Sequence, residues 1–303
     1  MRTIKYQLLD IIPCRNVLGE GVQWNDQDNA IWWTDIQSAK LYRYHPDSRQ
    51  LSQWDAPERI GCFAFMQDDS RLLVAFASGI AWWDLQTGQY EWIARPEADV
   101  RGNRLNDGRV DRQGRFWVGG IVEERETAEQ TTGLYCLDHD LQLKRQLTGL
   151  TISNGLCWSP DSSAMFHADS PSGNIDRYPF DAATGTLGSP QVFVSTASGI
   201  EPDGACVDAE GNLWSAQWGS GSVQVYTPEG QMITRIELPV SQPTCVAFGG
   251  PGLSWLMVTS ARKGLDEAQQ QLQPEAGNLF IFQTNARGLP ECRFRGSEKL
   301  MNI

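Results

Sequence analysis

The sequence has three histidines, no paired C-x-x-C cysteines, no Lys/Arg run and no apolar stretch near the length of a membrane span. Each absence removes a class of function. Histidines scattered at 45, 139 and 167 give a histidine-based zinc site no convergent ligands. Without about 18 consecutive apolar residues there is no spanning helix. With 25 basic against 37 acidic residues, a net charge of -12 repels a phosphate backbone, which excludes nucleic acid as a partner. There is no G-x-S-x-G and no Ser or Cys beside a plausible His, so a nucleophilic triad has no candidate. Seven cysteines form no disulfide framework, and those at 157, 206 and 245 sit in apolar runs as small hydrophobes. Met1 to Ile12 lacks the apolar core and cleavage site of a signal peptide, which makes the cytoplasm the expected compartment.

What the chain does have is a repeat. Its 303 residues include 29 Gly and 15 Pro, with no sustained helical period. One phrase, clearest over Gly199 to Trp214, returns in degraded form along the whole length: a turn bearing a polar residue, an apolar strand, a second turn and a second strand. Aligning the copies gives one column, Glu20, Cys62, Asn106, Asn154, Asp203 and Thr244, spaced about 41 to 49 residues apart. Four strands per unit of that length predict an all-β fold, a six-bladed β-propeller over residues 1–295, followed by a polar tail at 296–303. The sixth unit shows three strands, and Tyr6 to Ile12 precedes the first unit without a partner, so the two ends are expected to complete one blade. Two inserts interrupt the economy of the units, from Glu123 to Gln130 and from Ala261 to Ala276.

Rotation about a propeller axis brings equal phases together, so Glu20, Asn106, Asn154 and Asp203 should share one mouth of the channel. Singly, each has a bland reading. Pro202-Asp203-Gly204 and Asn106-Asp107-Gly108 suit turns, Asn154-Gly155 is a hairpin dipeptide, and Glu20 could be a solvated loop acid. Those readings predict no shared phase. Together the residues offer hard oxygen donors suited to Ca²⁺, Mg²⁺ or Mn²⁺. Arg104, two residues before Asn106, projects to the same face; it reads either as a surface arginine or as a contact for a substrate oxygen.

At these residues the sequence resembles the SMP-30/gluconolactonase/regucalcin-like family of six-bladed propeller lactonases. The resemblance rests on Arg15 to Trp24, Asn103 to Gly108, Ser153 to Leu156, and Gly199 to Gly204 followed by Gly211 to Trp214. Val22 stands where the family usually has proline. The resemblance implies a divalent cation on Glu20, Asn154 and Asp203, with Ca²⁺ favoured over Zn²⁺, Mn²⁺, Mg²⁺ or Fe²⁺. It also implies Asp203 as acid/base, Arg104, Asn106 and Glu123 as substrate contacts, and a small sugar lactone as substrate. Neutral aldonolactones are favoured over aldarolactones, whose second carboxylate would pair with Arg104, the one cation this reading sets beside the column. A non-catalytic calcium- or protein-binding propeller and a phosphotriesterase-like hydrolase are the alternatives.

Overall fold

Six antiparallel sheets, each running outward from one inner strand, make up the protein as seen in a computed structural model, which describes residues 3–127 and 129–296. The inner strands are Gly19–Asn25, Ile60–Phe65, Asn103–Val110, Ser153–Trp158, Glu201–Val207 and Pro243–Gly249. Five of them are followed by three further strands in meander order and the sixth by two, which is the six-bladed propeller expected from the repeat. The fourth blade adds a two-residue strand, Thr186–Leu187. The predicted tail at 296–303 lies, beyond Gly296, outside the described residues.

The ring closes as the orphan strand predicted. Tyr6–Ile12 pairs antiparallel with Leu279–Thr284, from Tyr6 opposite Thr284 to Ile12 opposite Leu279, and completes the sixth blade. Neighbouring blades pack through apolar faces. Trp214 of the fifth blade meets Phe248 of the sixth edge to face at 5.0 Å, and Trp117 of the third meets Trp158 of the fourth at 5.9 Å. Trp33, Trp82, Trp83, Trp117 and Trp214 are fully buried. Burial on both faces explains why inner strands such as Ile60–Phe65 read as continuous apolar runs rather than alternating ones.

Buried aspartates fix the turns. Asp111 and Asp208 each accept two backbone N–H groups of the turn that follows and the indole N–H of a tryptophan six residues on, both at 3.0 Å. Asp35 and Asp169, at the ends of second strands, each hold the backbone leading into their own blade's inner strand. Asp35 accepts from Val17 and Leu18, and Asp169 from Thr151 and Ile152. These bonds set where Glu20 and Asn154 enter the mouth.

The opposite mouth is crossed by a strap the sequence did not reveal. Phe294 is fully buried against Trp82 and bridges Met66, while Glu291 reaches into the channel to meet Arg109 at 3.1 Å. The insert Ala261 to Ala276 contains one short helix, Glu267–Leu272, capped by Asp266. No helix among the described residues is long and apolar enough to cross a membrane.

Candidate active site

All six inner strands break register at one height. The shifts fall between Glu20 and Gln23, Ile60 and Cys62, Leu105 and Gly108, Asn154 and Cys157, Pro202 and Ala205, and Pro243 and Val246. Each adds one residue to the inner strand, a β-bulge that bends the strand and re-aims a side chain toward the axis. Gly21 and Gly155 take positive φ there, at 60° and 68°. A Cβ on Gly155 would also press on the Asp203 carbonyl at 3.2 Å. The column residues lie at or beside these bulges, and for that reason they point into the mouth.

Glu20, Arg104, Asn106, Asn154 and Asp203 line one cavity of about 370 Å³. Leu18, Ile121, Ile152 and Trp218 form its apolar part. Of the other column members, Thr244 donates to the Gly19 carbonyl and ties the sixth blade to the first, and Cys62 is wholly buried. His45 ends a third strand and His139 lies in an exposed turn. His167 is buried against Ser153 Oγ at 2.8 Å, so the three histidines do not meet.

A chain of hydrogen bonds with a fixed direction crosses the floor. Arg104 Nη1 donates to Asn106 Oδ1 at 2.7 Å, and Asn106 Nδ2 donates to Asn154 Oδ1 at 2.9 Å and to the Ser153 carbonyl at 3.0 Å. Asn154 Nδ2 donates to Ser170 Oγ at 2.8 Å, and the Ser170 hydroxyl donates to the Pro202 carbonyl at 2.7 Å. A hydroxyl has one proton, so Ser170, having given it to Pro202, can only accept from Asn154. That settles the carboxamide orientation: nitrogen toward Ser170, oxygen toward Asn106 with a lone pair to spare.

The carboxylates differ sharply in their surroundings. Burial pushes the Glu20 carboxyl up to about 8, with the nearby Asp107 charge adding to it. Asp203 is raised well above the usual carboxylate range by burial and then by Glu20 and Asp107. Glu20's own neighbour Gly21 supplies an N–H at 3.2 Å, but no protein cation touches either group among the described ion pairs. Glu123 is the reverse case. Burial would raise it, yet Arg104 and Arg59 outweigh that and hold its carboxyl down to about 2. Its Oε1 meets Arg104 Nε at 3.0 Å and Lys263 Nζ at 3.8 Å, and its Oε2 meets Arg59 at 2.8 Å.

Of the residues expected at the site, Glu20, Arg104, Asn106, Asn154 and Asp203 come together, and Glu123 stands just behind Arg104 in the wall. Arg104 is not the one cation there, as the repeat alone suggested: Lys263, from the insert of the sixth unit, lines the same cavity. Ser170, Gln242 and Glu201 were likewise not anticipated. A signal for several of these exists in the repeat. In five of the six blades, a residue that closes the second strand or lies within three positions of its end joins a second ring at this mouth: Gln37, Glu123, Ser170, Trp218 and Lys263.

Comparison with known proteins places this geometry. Residues 18–262 match the SMP-30/Gluconolactonase/LRE-like region. The chain is 38% identical to L-arabinolactonase of Azospirillum brasilense over 94% of both chains. It is 35% identical to 6-deoxy-6-sulfogluconolactonase of Pseudomonas putida, over 93% of this chain and 96% of that one. The calcium-binding protein regucalcin from Agrobacterium tumefaciens superposes with a TM-score of 0.89 at 32% identity, covering 95% of this chain and 98% of the other. The bulged ring of inner strands, the cavity they enclose and these matches agree: the chain belongs to the SMP-30/gluconolactonase/LRE-like family.

Proposed function

We propose that the protein hydrolyses a sugar lactone to the open-chain acid, with a divalent cation held by Glu20, Asn154 and Asp203. The observation that carries this reading is the pairing, in one cavity, of two raised carboxylates, Asp203 buried and Glu20 half-buried, with a carboxamide oxygen whose orientation is fixed by its neighbours. Buried anions without a counter-charge are costly, and a dication among them removes that cost. Among the described residues no three His, Cys, Asp or Glu side chains group as metal ligands, and the Asn154 carboxamide oxygen offers a third donor in the cavity beside Glu20 and Asp203. Oxygen-only donors favour a hard ion such as Ca²⁺. The relatives named for lactone hydrolysis and for calcium binding support the same assignment.

The chain's own residues suit the reaction. A bound cation supplies Lewis-acid polarisation of a carbonyl oxygen or of water. One oxygen of Asp203 takes the proton from the attacking water and returns it to the ring oxygen as the ester bond breaks. Asn106 and Arg104, next to Asn154, hold substrate hydroxyl and carbonyl oxygens, and Glu123 keeps Arg104 charged and in place. Leu18, Ile121, Ile152 and Trp218 offer apolar surface to the C–H face of a compact ring.

The test is a panel of sugar lactones with chelator-treated protein and individual cations restored. Hydrolysis that returns with one divalent ion is expected. Cation binding without turnover of any sugar lactone would favour a non-catalytic calcium-binding role instead, and the absence of both would overturn the reading.

A further inference from the structure

One wall of the cavity carries more positive charge than its carboxylate balances. Arg104 and Lys263 both line the cavity, and both converge on Oε1 of Glu123, whose other oxygen is taken by Arg59. Three cations thus share a single carboxylate. Arg104 is partly committed: its Nε lies 3.0 Å from Glu123 without an aligned hydrogen bond, and its Nη1 donates to Asn106 and to the Leu105 carbonyl. Arg59 lies on the far side of Glu123. Lys263 is different, because at 3.8 Å its ammonium is beyond hydrogen-bond reach of Glu123, and it has three protons to donate.

Lys263 is also held in position from both sides. Its backbone N–H donates to the Val17 carbonyl at 2.9 Å, and its carbonyl accepts from Gln242 Nε2 at 3.2 Å. Ala261, two residues earlier, bridges Leu18. The base of the insert is therefore stitched to the segment that leads into Glu20, and only the Lys263 side chain is free to turn. This wall joins the floor through Arg104 and Asn106, so a ring seated at the floor would present its substituents to Lys263.

We propose that Lys263 is the specificity-determining residue of an anionic subsite, and that the lactones this protein prefers carry a second carboxylate distal to the scissile ester. The inference rests on the lactonase reading and names its substrate class. It reverses the preference for neutral aldonolactones drawn from the sequence, because the wall contains a cation with unspent donors as well as Arg104. The overall charge of -12 slows the encounter with such a substrate, but the local excess at the wall favours it once it arrives.

The experiment compares kcat/KM for an aldonic 1,4-lactone and for the aldaric 1,4-lactone of the same stereochemistry, on wild type, Lys263→Met, Lys263→Gln and Lys263→Arg. The aldaric-to-aldonic ratio is expected to fall about tenfold in the Met and Gln variants, the size of one partly exposed charge-assisted contact, and to recover in the Arg variant. Most of the loss should appear in KM. Added salt should lower the ratio for wild type and leave it flat for Lys263→Met. A ratio unchanged by Lys263→Met and Lys263→Gln would overturn the inference. Should neither lactone turn over, the lactonase reading fails separately, and calorimetry decides the subsite. Aldarate binding about tenfold weaker in Lys263→Met, with aldonate binding little affected, sustains it; equal loss or no loss for both acids overturns it.

Discussion

Ser170→Ala is a small change with a large expected consequence. It removes the acceptor for Asn154 Nδ2 and the donor to the Pro202 carbonyl, two short bonds on a residue that is 2% exposed. Each buried bond contributes about 1 kcal/mol net, so a stability loss of about 2 kcal/mol follows from the geometry. The larger effect falls on the cation. Without Ser170 only the Asn106 donor is left to hold the Asn154 carboxamide with its oxygen toward the floor, and the strand bearing Asp203 loses its tether at Pro202. Outer partners of metal ligands typically account for about 10- to 100-fold in affinity, and a loss in that range is expected. Calorimetric titration of Ca²⁺ into chelator-treated wild type and Ser170→Ala measures it, and a second pair in the Asn154→Asp background isolates the cause. A carboxylate presents oxygen either way round, so Ser170→Ala should weaken binding much less when residue 154 is aspartate. Wild-type affinity in Ser170→Ala, or an equal loss in both backgrounds, refutes the orientation argument.

Three further outcomes are expected. Glu20→Gln and Asp203→Asn should each weaken Ca²⁺ binding yet raise the Tm of the chelator-treated protein, since each replaces a carboxyl that the metal-free fold keeps from ionising, a cost an amide does not carry; calorimetry and thermal melts report the two signs separately. His167 is held neutral by burial, its pKa lowered to about 4. The unfolded chain therefore binds the extra proton between about pH 6.5 and 4, and wild type should lose about 3 kcal/mol across that window relative to His167→Gln in denaturant titrations. Phe294→Ala, at a fully buried ring on Trp82, should cost about 3 kcal/mol of stability while leaving Ca²⁺ affinity at the far mouth within about twofold.

The fold was legible because a propeller states its plan six times. A single degraded copy such as the one around Cys62 carries little, but its phase against Glu20, Asn106, Asn154 and Asp203 fixes the blade count, and the unpaired Tyr6 to Ile12 then has one place to go. The bulges were not legible. One extra residue in Gly21-Val22 or Asp203-Gly204 disturbs no apolar alternation, because inner strands are buried on both faces. The Glu267–Leu272 helix is too short for periodicity, although Asp266 and Gln269 spell its capping box. Lys263 and Ser170 went unseen because the anchor was set on the first strand of each unit. The ends of the second strands carry a ring of their own, but its members share no chemistry: an amide, a carboxylate, a hydroxyl, an indole and an ammonium. The strap around Phe294 occurs once, so no repeat could announce it.

The closure between Tyr6–Ile12 and Leu279–Thr284 has a consequence for biosynthesis. The strand made first finds its partner only when some 270 further residues have emerged, which at ~5–20 residues per second leaves it waiting roughly 15 to 60 s. Through that interval its unpaired edge and its apolar side chains, of which Tyr6, Leu8 and Leu9 stay partly exposed even in the finished ring, are open to neighbouring chains. The last seam to close is therefore the one where a nascent molecule can capture the first strand of another, and expression at a slower translation rate lengthens that opportunity.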